Sequence, residues 1–319
     1  MRTKSTIKAG KMNGAKTTNL TALQYFNKKK YLYLMLLPCV IYFILFHYVP
    51  MYGIVMAFKD FDFGKGIWNS PWIGLENFRY MFSLPDFYSV LKNSLTLSLL
   101  RLLFGFPMPL LLALMINEIR MVKFKKTVQT IIYLPHFISW VVIGGILVNF
   151  LSPTWGVVNK ILGSFGVEPI FFMAEEKYFK WMVVLSSIWK EAGWGTILYL
   201  AALTAINPEL YEAARIDGAN RFQQLYRITL PCIVPTIVTL FILRTGTIMS
   251  NGSEQILVLQ NSQNLSVSEV FETYTYRVGI IGGRYSFATT VGLFTSVIGT
   301  VLIVCTNRIS KMMGENGLW

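Results

Sequence analysis

The sequence predicts an all-α, polytopic membrane protein with six transmembrane helices, and three observations carry that reading. Hydrophobic residues make up 54% of the 319 and charged residues only 14%, where soluble domains carry about 25% charge. The apolar residues gather into blocks of about 17 to 25, the length that crosses a hydrocarbon core about 30 Å thick at about 1.5 Å per helical residue. The cations flank those blocks, so the excess of 29 Lys and Arg over 16 Asp and Glu reports topology and not a nucleic-acid partner. A water-soluble enzyme is excluded on the same grounds. The spans are helical because an open sheet edge leaves backbone groups unsatisfied in lipid.

Residues 1–30 form a basic tail with Arg2, Lys4, Lys8, Lys11, Lys16, Lys28, Lys29 and Lys30 and no acidic residue. The first apolar block, 31–50, is longer than the core of a secretory signal and has no small-residue cleavage site before His47, so it reads as a retained anchor. Further blocks cover 89–116, 128–151, 181–205, 230–250 and 287–306. Residues 31–319 thus make one six-span domain. Arg120, Lys123, Lys125 and Lys126 lie between the second and third spans, Arg215, Arg221 and Arg227 between the fourth and fifth, and Arg308 and Lys311 after the sixth. These connections alternate on the side of the tail, which puts both termini in the cytoplasm. The opposite connections, 59–86, 152–180 and 251–286, are longer and carry Asp60, Asp62, Glu76, Asp86, Glu168, Glu175, Glu176, Glu254, Glu269 and Glu272. Their Trp, Tyr and Phe suit interfacial anchoring or the docking of another protein. The glycine run 279–283 suits a tight outer turn. Cys39, Cys232 and Cys305 are odd in number and far apart, which fits neither a disulfide framework nor a CxxC metal site. His47 and His136 lack partners at metal-ligand spacing, so no metal is expected.

The connection 206–231, INPELYEAARIDGANRFQQLYRITLP, is ordered in its signals. Asn207 can cap, Pro208 fits the first helical position and Glu209 suits the positive end of the helix dipole. Leu210, Ala213 and Ala214 share a face, and Gly218 suits the left-handed residue that ends a helix. Phe222, Leu225 and Tyr226 repeat the spacing, and Pro231 marks re-entry as span five. The expectation is a helix, a turn and a second helix across the cytoplasmic face.

Glu212, Ala213 and Ala214, Gly218 four residues beyond, and the pair Leu230–Pro231 resemble the EAA loop of binding-protein-dependent ABC importer permeases. The stretches IWKEAGWGTILYLAAL (188–203), YLPHFISWVV (133–142), YSFATTVGLFTSVIG (285–299) and the closing GLW are similar to the carbohydrate-uptake branch. They come nearest the oligosaccharide and polysaccharide permeases called LplB-like, relatives of the larger maltose permease subunit. The resemblance covers 31–319, without the long extra outer domain of the maltose subunit. It implies the type I importer permease fold and a bacterial cell-membrane location. It also implies an EAA loop that docks on a cytoplasmic ATPase. Glu212 would meet a basic residue there, Ala213 and Ala214 would allow close approach, Gly218 would make the turn, and Arg215 and Asp217 would flank the contact. The implied partners are an ATPase dimer that binds ATP and Mg, a second permease chain, and an extracytoplasmic solute-binding protein that delivers a sugar. This chain itself would bind no cofactor. The alternative for the loop is an amphipathic connector resting on the headgroups.

The chain has no G-x-x-x-x-G-K-[ST] phosphate loop, so its work must come from elsewhere. Ionisable residues inside spans are costly and mark candidate function; here they are Arg101, Lys190, Glu191 and Arg244. Lys190, Glu191 and Trp194 on span four, with Arg244, Thr247 and Asn251 on span five, are the candidate substrate path by the resemblance. Lys190 and Glu191 either serve that path, pair with other spans or reach the interface, and Lys190 and Arg244 either serve an anionic sugar or pair within the protein. An ion-coupled secondary transporter would explain the charges but not the docking loop. An intramembrane enzyme lacks any H-E-x-x-H or paired aspartates. A structural scaffold would leave the loop without a purpose.

Overall fold

The computed structural model describes residues 29–314 and 317–319, so nearly all of the predicted basic tail lies outside the described residues. The described residues divide into two compact units, the first ending at Gly53 and the second beginning at Ile54. The first unit holds most of α1 (Lys30–Phe58), which is apolar on every side and has no buried side chain before Ala57. Pro38 sits inside it, and a wide turn at Ile44–Tyr48 leads into Pro50. A proline removes one helical donor, and a wider turn ahead of it re-spaces the backbone.

The second unit contains α2 (Glu76–Ser83), α3 (Pro85–Asn117), α4 (Val122–Phe137), α5 (Trp140–Phe150) and α6 (Val157–Ser164). It continues with α7 (Glu176–Thr204), α8 (Pro208–Ile216), α9 (Arg221–Gly246), α10 (Ser253–Leu259), α11 (Phe271–Thr275) and α12 (Tyr285–Met312). The described residues hold no β-strand, only an isolated antiparallel bridge between Lys59 and Trp72.

Helices α1, α3, α9 and α12 are long and apolar enough to cross a membrane, and α4 with α5 makes a fifth if the bent pair is one span. The remaining predicted span is α7, 29 residues long. Lys190 and Glu191 in its middle lower its apolarity, which is why length alone qualifies it. The single block expected at 128–151 is sharply bent: α4 and α5 meet at 98°. Pro135 sits in the tight turn Leu134–Phe137, and the Ser139 hydroxyl accepts from the Val142 N–H at 3.4 Å, starting a new helix. A proline followed by a capping serine is a break signal in its own right.

Three apolar clusters hold the second unit together. One joins Leu97 of α3 to Phe179, Val183 and Val184 of α7 and to Ile256 and Leu259 of α10. A second packs Met81 of α2 with Phe87 and Val90 of α3, Phe271 and Tyr274 of α11, and Phe287 and Val291 of α12. A third gathers Ala113 and Ile116 of α3, Tyr199, Leu200 and Leu203 of α7, and Ile233 of α9. Helix α3 contributes to all three clusters and α7 to the first and third, so the two form the spine. On α7, a Cβ at Gly193 would come within 1.8 Å of the Ile132 carbonyl oxygen, so α4 and α7 meet backbone to backbone only because that residue is glycine. In the connection after α10, Arg277 donates to both Glu269 oxygens at 2.6 and 2.9 Å, and that bidentate bond holds the guanidinium above its ordinary pKa. At the other end, Leu318 N–H donates to Asn307 Oδ1 at 2.7 Å, folding the closing residues back on α12.

Candidate coupling loop and solute cavity

The loop between α7 and α9 begins as the sequence requires. Asn207 Oδ1 accepts from the Glu209 N–H at 3.0 Å, and Pro208 occupies the first helical position. Helix α8 ends in a left-handed glycine: Gly218 has φ +78°, its N–H donates to the Arg215 carbonyl at 3.1 Å, and the Ala219 N–H donates to the Ala214 carbonyl at 2.8 Å. That pair of bonds is the Schellman arrangement, which satisfies the last carbonyls of the helix. No residue of α8 is buried. Glu212, Ala213, Arg215 and Asp217 are exposed, and Ile216 is 87% exposed. The face shared by Leu210 and Ala213 is therefore exposed among the described residues.

The second half of the loop differs from expectation. Phe222, Leu225 and Tyr226 do not form a separate helix ending at Pro231; α9 runs unbroken from Arg221 to Gly246. Asn220 and Gln223 bond reciprocally through side chain and backbone at 2.7 and 2.9 Å, a capping box that starts the helix. A wide turn at Leu225–Thr229 then re-spaces the backbone ahead of Pro231. The buried Thr229 hydroxyl lies 2.9 Å from Tyr211 Oη, tying α8 to α9, and Arg221 pairs with Glu118 at the end of α3.

The helices on either side of this loop line a cavity of about 550 Å³. Its wall includes Glu191, Trp194 and Tyr199 of α7, Arg244 of α9, Thr247 just beyond it, Trp140 of α5 and Arg101 of α3. The recess of about 450 Å³ lined by Ile143, Leu147, Phe150, Trp181, Leu185 and Trp189 is almost wholly apolar and offers no pattern of donors for a polar solute.

Of the residues expected on the substrate path, Glu191, Trp194, Arg244 and Thr247 come together in the wall. Lys190 and Asn251 stand behind it. Lys190 is buried and its Nζ donates to the carbonyls of His136 and Ile138 at 2.5 and 2.7 Å, the two residues that flank the turn into α5. Its charge serves the backbone of the α4–α5 bend. Asn251 is fully buried; its N–H donates to Glu272 at 2.9 Å and its carbonyl accepts from Arg101. Arg101 also donates to Gln255 Oε1 at 2.5 Å, while its buried Nε has no hydrogen-bond partner. Helices α3, α10 and α11 and the segment between α9 and α10 thus share one polar knot at the cavity wall.

His136 belongs to this site, although the sequence shows it alone. Its Nδ1 lies 2.8 Å from Glu191 Oε2, and its ring lies flat on Trp194 with centroids 4.5 Å apart and planes 4° apart. Glu191 is therefore engaged. Arg244 makes no side-chain hydrogen bond or close ion pair among the described residues, and the charge acting on its guanidinium is that of Glu191 in the same wall.

A family model described as the binding-protein-dependent transport system inner membrane component matches residues 105–314. The chain is 47% identical over 292 residues to Protein LplB of Bacillus subtilis (strain 168), covering 92% of each. It is equally 47% identical over 292 residues to the polygalacturonan/rhamnogalacturonan transport system permease protein YteP of the same organism, covering 92% of this chain and 91% of that one. A bacterial alginate ABC transporter, solved in complex with an alginate pentasaccharide-bound periplasmic protein, matches with a TM-score of 0.86 and 44% identity over 93% of this chain and 99% of that one.

Proposed function

The chain belongs to the family of binding-protein-dependent transport system inner membrane components, and from that premise we propose that its own cavity passes an acidic oligosaccharide. It is a multi-pass permease subunit of a bacterial ABC importer for sugars, a transport subunit and not an enzyme, with the type I permease fold. Uptake driven by an ion gradient finds no support among its relatives. Its partners are a solute-binding protein outside, a second permease beside it and an ATPase beneath; ATP and Mg belong to the ATPase in this reading.

One observation carries the mechanism: the coupling loop is the connection between the two helices that supply the cavity's stacking and charged residues. From Asn207 back to Glu191 along α7 is about 24 Å, and from Arg221 forward to Arg244 along α9 about 35 Å, at about 1.5 Å per residue. A displacement of α8 reaches α9 through the Tyr211–Thr229 hydrogen bond and the capped start at Asn220. Glu212, exposed on a helix whose small face at Ala213 is exposed among the described residues, is shaped to be received by a groove. Arg215 and Asp217 flank it, and Gly218 fixes the exit direction of the chain. Closure of the ATPase on its nucleotide would push this knob and re-pose the cavity wall, which is alternating access. The predicted cytoplasmic position of both termini agrees with that direction.

The acidic substrate rests on Arg244. Galacturonans and alginate are chains of uronic acids, and a guanidinium with no close ion pair among the described residues can take a carboxylate through two parallel hydrogen bonds. Trp194 offers the apolar face of the sugar ring a flat partner, and Thr247 and Ser250 supply hydroxyls. The test is uptake into proteoliposomes holding the assembled importer and its binding protein, with acidic and neutral oligosaccharides of equal length. ATP-dependent uptake of the acidic sugar that weakens in Arg244→Gln supports the reading. Uptake that proceeds without ATP, or that favours the neutral sugar, overturns it.

A further inference from the structure

We propose that the first turn of α4 is a binding site for anionic lipid headgroups beside the coupling loop. Arg120, Lys123, Lys125 and Lys126 fall within seven residues, and no acidic residue follows until Glu168. All are exposed except the half-exposed Lys125, and none has an ion-pair partner among the described residues. The nearest carboxylate in sequence, Glu118, is taken by Arg221. The cluster therefore presents four uncompensated charges, in contrast to Arg277 and Arg221, which are both paired.

Local structure makes the charge harder to compensate from within. Helix α4 starts at Val122, its cap position Met121 offers no side-chain hydrogen bond, and its first turn holds no acidic residue. Its lysines thus sit at the end where the helix dipole already adds positive potential. Val128 and Ile132 pack against the inner apolar cluster, and Lys123 and Lys126, three residues apart, share the side of the helix turned away from Val128. An external anion is the partner this surface lacks.

The apolar residues among the cations identify the source of that anion. Met121, Val122 and Phe124 are 71%, 65% and 55% exposed and alternate with the lysines. A soluble phosphate would satisfy the charge and leave these side chains in water. A lipid satisfies both, with acyl chain against Phe124 and phosphate against the lysines, which is the composition of a segment that lies in the headgroup layer. The bend of 98° between α4 and α5 lets α4 depart from the direction of the span that follows it. The Glu118–Arg221 pair places this site next to the start of α9, so its occupancy bears on the position of the coupling loop. The proposal needs neither the acidic sugar nor the assignment of Glu212.

The experiment uses the assembled importer in nanodiscs of phosphatidylcholine mixed with phosphatidylglycerol. After gentle extraction, the phosphatidylglycerol retained per complex is quantified against phosphatidylcholine. Wild type is expected to enrich the anionic lipid, and Lys123→Gln with Lys126→Gln to lower that enrichment on the order of tenfold. Arg308→Gln with Lys311→Gln, which removes two other cations from α12, should leave it unchanged. Equal loss in both pairs shows a general surface charge and overturns the site, as does wild-type enrichment in the lysine pair. Unchanged enrichment with the ATPase lost on purification assigns the lysines to that protein instead. If the variant complex fails to assemble, wild type decides: enrichment that does not fall from low to high salt overturns the proposal.

Discussion

The imidazole of His136 lies flat on the indole of Trp194, 4.5 Å between centroids and 4° between planes, while its Nδ1 contacts Glu191 at 2.8 Å. Three side chains from two helices thereby fix one aromatic surface at the cavity wall. Aromatic pairs contribute about 0.5–1.5 kcal/mol beyond area burial, a factor of about 2 to 12. His136→Ala is expected to raise the KM for sugar uptake within that range, with maximal rate largely kept, and Trp194→Ala to raise it more. Uptake titrations with both variants check the order; an unchanged KM in Trp194→Ala would remove the platform from the solute path.

Lys190 is expected to matter for stability before it matters for solute. Replacing it with Met leaves two carbonyls at the α4–α5 bend without their donor, and hydrogen bonds to charged groups contribute about 1.5–3 kcal/mol. The melting temperature of the detergent-solubilised complex should fall, and the KM of whatever protein survives should be close to wild type. A raised KM with an unchanged melting temperature would place Lys190 in the solute path instead.

Gly218 needs its backbone and not its lack of bulk. A Cβ there would meet nothing within 4 Å, yet φ is +78°, which L-residues adopt at a cost of about 1–2 kcal/mol. Asn tolerates that conformation better than Leu. Gly218→Leu is therefore expected to uncouple sugar transport from ATP turnover while the protein stays in the membrane, and Gly218→Asn to retain much of the coupling. Parallel ATPase and uptake assays distinguish this from crowding, under which both substitutions fail alike.

The Glu118–Arg221 pair is exposed at 60% and 59% of the two side chains. Surface pairs of this kind contribute about 0–1 kcal/mol and weaken with salt. Glu118→Gln should shift the melting temperature little, and the shift should vanish at high salt. A large, salt-insensitive loss would mean that the pair is desolvated in the assembly.

Much of this was legible in the sequence because membrane spans and caps are local signals. The apolar blocks mark α1, α3, α9 and α12 directly, and Asn207, Pro208 and Gly218 mark the ends of α8 before any coordinates. The capping box at Asn220 and Gln223 carries the same kind of signature, spaced three apart. Pro135 with Ser139 likewise announces the break between α4 and α5 beneath a run whose hydropathy reads as continuous. What was not legible is contact between distant segments. His136 meets Glu191 and Trp194 from more than fifty residues away, and no periodicity points one at the other. Lys190 and Glu191 are neighbours in sequence, but successive helical residues point about 100° apart, so one supports a bend and the other faces the cavity. Continuity of α9 through Pro231 depends on a wide turn that has no residue signature.

Lys190 bolts the elbow of α4 and α5 to the middle of α7, and Gly193 presses the same helices together a turn later. Those three helices consequently form one jaw, carrying the ring of Trp194, whereas Arg244 rides on α9, the helix that takes the thrust of the coupling loop. On the proposed reading, any motion that parts α7 from α9 at the cavity would separate the ring offered to the sugar from the cation offered to its acid group. Release of the solute would then need only added distance at the cavity, while the apolar cluster of Tyr199, Leu203 and Ile233 keeps the two helices joined at their other end.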